Sequence, residues 1–247
     1  MGRKYRNPPI IEAVCEFQIT PDTKWDLTIP GLIYEKVRNE FPIIEQRVIF
    51  EEKITVRGEE LHRQISPSER VLFYSNDRTA LIQVGTHLLS ANCLKPYPTW
   101  EGFKPKINIA IKALKQTIEI KAFQRIGLRY INRIEIPGQS PNIVSEYFEF
   151  RPFLGRGLPK DMADFMVGCL LPFSEGRDLC KVRLANTKAD HPEMVGFLLD
   201  IDYFQSSHDV IRIEDTLAWI DMSHVEIEKV FEGCITEPLR QLFEEVG

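Results

Sequence analysis

The run Phe123 to Pro137, FQRIGLRYINRIEIP, constrains this chain more than any other stretch, because it alternates with a period of two. Ile126, Leu128, Tyr130, Ile134 and Ile136 fall on one side, and Arg125, Arg129, Arg133 and Glu135 on the other. Side chains of a β-strand point alternately to the two faces of its sheet. The run therefore predicts a half-buried strand with an apolar underside and a row of guanidinium groups above. Such a strand needs neighbours in a sheet and an apolar layer over one face.

Other segments supply both. Asn7-Pro8-Pro9 forces an extended entry, because a residue ahead of proline is pushed out of the helical region. Ile10 to Thr20 then alternates, with Ile11, Ala13, Cys15, Phe17 and Ile19 against Glu12, Glu16 and Gln18, and Pro21 closes it. Ile29, Leu32, Ile33, Val37 and Phe41 have helical spacing, Pro30 is tolerated in the first turn, and Pro42 stops the helix. Strands are predicted over 47–57, with Val48, Phe50, Ile54 and Val56 inward, and over 70–75 and 79–92, the last two joined at Asn76-Asp77-Arg78. A helix follows from Trp100 to Ile120.

After the central strand the same order returns. A turn at 137–141 leads to a short helix or extended connection at 142–150 and a loop rich in proline and glycine at 151–160. Strand-like runs follow at 164–173, 179–187 and 193–205, then a helix from Arg212 to about Glu232 with His224 in its apolar stripe. Thr236 N-caps a last helix that ends at Phe243. Strand, helix, three strands, helix thus occurs twice, in 1–120 and in 121–247. The expectation is an α+β protein in one continuous globular domain, with a large antiparallel sheet, helices packed on one face and the other face open. That order resembles duplicated helix-grip or TATA-binding-protein-like units, and only the order carries the likeness.

Composition narrows the function. The net charge of −5 argues against a general nucleic-acid binder, whose phosphate affinity comes from excess lysine and arginine. Cys15, Cys93, Cys169, Cys180 and Cys234 lie far apart without metal-knuckle or CxxC spacing, and Cys15, Cys93 and Cys169 stand in apolar runs where a thiol packs as a small hydrophobe, which predicts a reduced, cytoplasmic protein. MGRKYRNPP is basic but has no apolar run after it, so no secretory signal is expected, and Arg6 stands where a myristoylation motif needs Ser or Thr. No run is apolar enough to predict membrane attachment. Nucleophile elbows, phosphate-binding glycine loops and zinc spacings are missing, so no catalytic residue, metal or cofactor is assigned.

The candidate binding residues lie on the open face. If the two passes are related by a pseudo-two-fold, Glu12 and Glu16 stand across from Arg125, Arg129 and Arg133. The arginines are then either neutralised in cross-strand ion pairs or left to grip an acidic partner, a phosphate or a nucleic-acid backbone. Asp200 and Asp202 share one side of a strand, but two carboxylates fall short of a metal shell. His224 reads as a hydrogen-bonded core histidine; the alternative polar site is a cavity between the sheet and the long helix that uses His224 as a general base or the Asp200 and Asp202 pair.

Asn7-Pro8-Pro9 with Glu12 and Ala13, the run Gly127-Leu128-Arg129-Tyr130-Ile131-Asn132-Arg133, and His224 with Phe231, Glu232 and Thr236 together resemble a family of uncharacterised, sporadically distributed prokaryotic proteins of similar length. The likeness spans nearly the whole chain. It implies no catalytic residue, since that family has no established activity. Sporadic occurrence implies horizontal transfer and fits an accessory role in a mobile defence or toxin–antitoxin locus. The expected function is non-enzymatic engagement of another protein, with nucleic-acid or nucleotide binding through the arginine row and an enzyme as alternatives, and it is compatible with a homo-oligomer.

Overall fold

The computed structural model describes residues 3–57, 60–138, 143–159, 162–205, 207 and 211–246, with side chains described outside 49–67. Lys4–Tyr5 (β1) leads into Ile10–Ile19 (β2), the helix Ile29–Val37 (α1), the paired strands Ile43–Arg57 (β3) and Glu60–Tyr74 (β4), Ala80–Gly85 (β5), Leu88–Leu94 (β6) and the helix Trp100–Thr117 (α2). Phe123–Pro137 (β7), Ile143–Tyr147 (α3), Met166–Phe173 (β8), Asp178–Thr187 (β9) and Met194–Gln205 (β10) come next, then Thr216–Cys234 (α4), Glu237–Phe243 (α5) and Glu245–Val246 (β11). The protein is α+β, built on a nine-stranded antiparallel sheet in the order β3-β4-β5-β6-β2-β7-β10-β9-β8, with β1 and β11 forming a separate two-stranded ribbon. The first pass carries four strands between its helices where the sequence predicts three, so the two passes match only approximately.

The chain divides into two compact units, one of Met1–Val14, Lys95–Tyr97 and Arg125–Gly247, the other of Cys15–Leu94 and Pro98–Gln124. In the second unit, α1 buries Ile29, Ile33 and Val37, and α2 buries Phe103, Ile107, Ala110, Ile111, Ala113 and Leu114, the helical spacing expected of them. The Tyr34 ring of α1 meets Phe73 of β4 at 5.2 Å between centroids. On the sheet face away from Phe73, Leu72, Tyr74 and Leu81 form a smaller apolar cluster with Ile43 and Leu94. The Arg78 guanidinium lies 4.3 Å over the Tyr74 ring and is held there by Glu45.

Two expectations need correction in this unit. Val48 is 54% exposed, not inward, and Phe50, Ile54 and Val56 lie outside the described side chains. The run 79–92 is not one strand, because the chain turns at Thr86-His87 with His87 at φ 55°, its ring nitrogen 3.0 Å from the Thr23 carbonyl.

In the first unit, α4 lies over the face of β7 and β10 that carries Tyr130 and Tyr203. Trp219 meets Tyr203 at 5.8 Å and His224 meets Tyr130 at 6.0 Å. Under α4 the fully buried Asp178 accepts from Trp219 Nε1 at 3.1 Å, from the Tyr203 hydroxyl at 3.2 Å and from Arg177 Nη2 at 2.6 Å, so its charge is paired and its lone pairs are used. At the chain ends, Tyr5 packs edge-on against Phe231 and Phe243, and its hydroxyl donates to Glu232 at 2.6 Å. Arg240 Nε reaches the other oxygen of Glu232 at 2.8 Å. No described helix is long and apolar enough to cross a membrane.

Candidate interaction surface

The alternation of β7 survives in the fold: Ile126, Leu128, Tyr130, Ile134 and Ile136 are buried, while Arg125, Arg129, Arg133 and Glu135 are half-buried on the other face. Asn132 joins the buried side and donates to the Leu199 carbonyl at 3.1 Å. The neighbour β10 runs antiparallel with Asp202 opposite Arg129, Asp200 opposite Ile131 and Phe204 opposite Gly127. Asp200 and Asp202 therefore share the face of the arginines, as their two-residue spacing requires.

Each arginine finds a partner there. Arg125 lies back over Gly127, where its guanidinium sits 4.6 Å above the Phe204 ring and reaches both oxygens of Asp202 at 2.7 and 2.9 Å. Only glycine leaves room for this path, since a Cβ on residue 127 would stand 2.5 Å from Arg125 Nη1. Arg129 makes a fork with Asp200, Nε to Oδ1 at 2.6 Å and Nη2 to Oδ2 at 2.9 Å, and Arg183 Nη2 of β9 approaches the same carboxylate at 3.3 Å. Arg133 Nη2 reaches Asp190 Oδ1 at 2.6 Å, Glu135 Oε1 at 3.2 Å and the Lys188 carbonyl at 3.1 Å. The result is a lattice of alternating charge, with the planar fork of Arg129 on Asp200 at its centre.

Burial sets the electrostatics. The Asp202 carboxyl is pushed up by burial, with the Arg125 and Arg129 charges pulling back. Burial also works against the Arg129 charge, but the hydrogen bond to Asp200 and the Asp200, Asp202 and Glu12 charges outweigh it and hold this guanidinium above its ordinary value. The Asp200 side chain is only 8% exposed, whereas those of Arg129 and Arg183 keep 40% and 39% of their surface. The carboxylates form the floor and the guanidinium groups the rim.

Sequence reasoning places the right arginines together on one face. Glu12 adds charge near Arg129, and Asp200 and Asp202, taken in the sequence as a separate polar site, join the arginine row. Asp200 and Asp202 do not form a site with His224. His224 Nδ1 lies 3.2 Å from the Tyr130 hydroxyl on the face under α4, and its Nε2 lies 3.4 Å from Glu228 Oε1, so the sheet separates it from the aspartates. The Tyr97 hydroxyl extends this chain, 3.1 Å from that of Tyr130. Among the described residues no group of three or more His, Cys, Asp or Glu side chains is arranged to hold a metal. Sequence reasoning passed over Gly127, Phe204, Arg183 and Tyr97. A glycine at an outward position within the arginine row was the one available signal.

The three motif stretches all fall in the first unit, where each has a structural role. Asn7 is tied to Glu244 by a side-chain bond of 3.1 Å, and the Pro9 carbonyl accepts the Arg133 N–H at 2.9 Å. Phe231 and Glu232 hold Tyr5, and the Thr236 hydroxyl donates to the Glu146 carbonyl at 2.6 Å. No family model matches the chain, and no curated protein matches its sequence.

Proposed function

We propose that this chain is a non-enzymatic interaction protein that engages another protein through the charged sheet face of its first unit. The observation that carries this reading is the bond of Arg125 Nη2 to both oxygens of Asp202 together with the fork of Arg129 on Asp200. A lattice held this firmly presents fixed donors and acceptors of both signs, which suits a partner surface of mixed polarity better than the uniform negative charge of a nucleic-acid backbone. The arginines already hold carboxylates, which lowers the net positive charge that this face offers a phosphate.

The thiols favour a reducing, cytoplasmic setting. All five described cysteines are free, and burial pushes Cys93 up to about 11 and Cys180 and Cys234 up to about 12, which keeps them as packed thiols. The likeness of the three motif stretches to sporadically distributed prokaryotic proteins favours a partner encoded in a mobile defence or toxin–antitoxin locus.

Affinity capture from the native host tests the reading. The wild-type chain should recover a stoichiometric protein partner, and Lys181→Glu combined with Arg183→Glu, the β9 positions opposite Asp202 and Asp200, should lose it while keeping the circular dichroism of the fold. Recovery of no partner counts against an interaction role. Salt-sensitive DNA or RNA binding that disappears in Arg129→Ala and Arg133→Ala replaces it with the nucleic-acid reading.

A further inference from the structure

The strand β8 ends the nine-stranded sheet, and its outer edge carries no hydrogen bond among the described residues. The Asn186 N–H donates to the Phe165 carbonyl at 3.4 Å, one residue ahead of β8. Odd-numbered residues here therefore turn their main-chain groups toward β9, and Met166, Gly168 and Leu170 turn theirs outward. Pro172, which has no N–H to offer, is also at an outward position. An exposed edge is usually blunted by lysine, by proline or by a covering element. Residues 166–173 carry no charge at all, and Met166 and Leu170 are 73% and 52% exposed on the face of Lys181 and Arg183.

We propose that β8 pairs antiparallel with β8 of a second copy of this chain, about a two-fold axis at Cys169. In that register Gly168 of each copy exchanges both main-chain bonds with Leu170 of the other, and each Met166 N–H donates to the other copy's Pro172 carbonyl. The side chains match as well. The arginine stem of residue 183 lies over Gly168, its Cγ 3.2 Å from where a Cβ would stand, so the second copy's Leu170 packs on the methylene groups that cover this glycine.

Moving the axis by one residue either way sets Leu170 against Leu170 or Gly168 against Gly168 and loses the match. Both the leucine and the glycine it crosses belong to the same strand, and no charge on that strand asks for a counter-charge. That self-complementarity is what selects a second copy as the occupant. The paired area is small, so the dimer depends on concentration.

The register carries its own reporter. Cys169 faces Cys169 at a non-hydrogen-bonded position, where Cα atoms lie about 4.5 Å apart, within disulfide reach. It is also the one described cysteine that is not buried. Oxidation of the full-length chain with copper phenanthroline should give a dimer band on a non-reducing gel that is absent in Cys169→Ser. Sedimentation velocity should show a monomer–dimer equilibrium that Leu170→Lys weakens about thirtyfold or more. If Leu170→Lys does not fold by circular dichroism, Met166→Lys gives the same test. A chain monomeric at every concentration, a cross-link that persists in Cys169→Ser, or a dimer indifferent to a lysine on the edge overturns the proposal. So does an edge that captures only an extended segment of a different protein.

Discussion

Gly127 controls more than its own backbone. With a methyl group there, Arg125 leaves its path over the strand, the contact with Phe204 opens, and the largely buried Asp202 loses its two-point partner. Gly127→Ala is expected to cost about 1–3 kcal/mol, below the figure for a fully buried pair because both side chains keep some solvent contact. Urea denaturation measures this, and the double variant with Arg125→Ala should lose less than the sum of the single losses. Asp178→Ala should cost more, about 3–5 kcal/mol, because it strands the buried Trp219 N–H and Tyr203 hydroxyl together with Arg177. Loss of the near-ultraviolet signal of Trp219 would accompany it. At this scale the sequence shows which side chains share a face, since alternation is local. It does not show that Arg125 skips to Asp202, because that path needs the pairing of two strands some seventy residues apart, Phe204 opposite Gly127.

Elements were legible in proportion to their local signals. Strands β2, β7 and β10 and both long helices fall where period two and helical spacing put them, since each buries one face. The break at Thr86-His87 was missed because a histidine, not glycine or asparagine, takes the positive φ there. The helix α4 begins at Thr216, later than expected, because Arg212 and Asp215 close a turn just before it. The turn between β4 and β5 offers a titration test. Asp77 accepts from the Ser75 hydroxyl at 2.7 Å and from the Thr79 N–H at 3.0 Å, and these bonds lower its carboxyl to about 2. A lowered folded value means the stabilisation is present above the ordinary aspartate range, about 4, and is lost as pH falls through about 2. Carbon-detected NMR should place the Asp77 midpoint near the lower value, and a midpoint near the ordinary one would show that the turn bonds do not form. Where α4 meets α5, Glu232→Ala should cost about 1–3 kcal/mol by removing the shared acceptor of Tyr5 and Arg240, read as a lowered urea midpoint.

For the molecule as a whole, the sequence indicates a sheet with helices but not the order of its strands. Hydrophobic spacing tells a strand which face is apolar and is silent on which neighbour it takes. The order explains why the arginine row is not a basic stripe: β10 lies next to β7 and brings Asp200 and Asp202 to it. Accordingly, any retention of the chain by duplex DNA should be weak at low salt and nearly flat with ionic strength, whereas an unpaired arginine row would give a steep salt dependence.

The ribbon of Lys4–Tyr5 with Glu245–Val246 has a consequence for biosynthesis. A ribosome releases Tyr5 long before Phe231, Phe243 and Val246 emerge, so the aromatic ring that anchors β1 has nothing to dock on until they do. That seam cannot close before α4 and α5 have left the ribosome, and a nascent chain halted ahead of Phe231 would still show its Tyr5 to solvent.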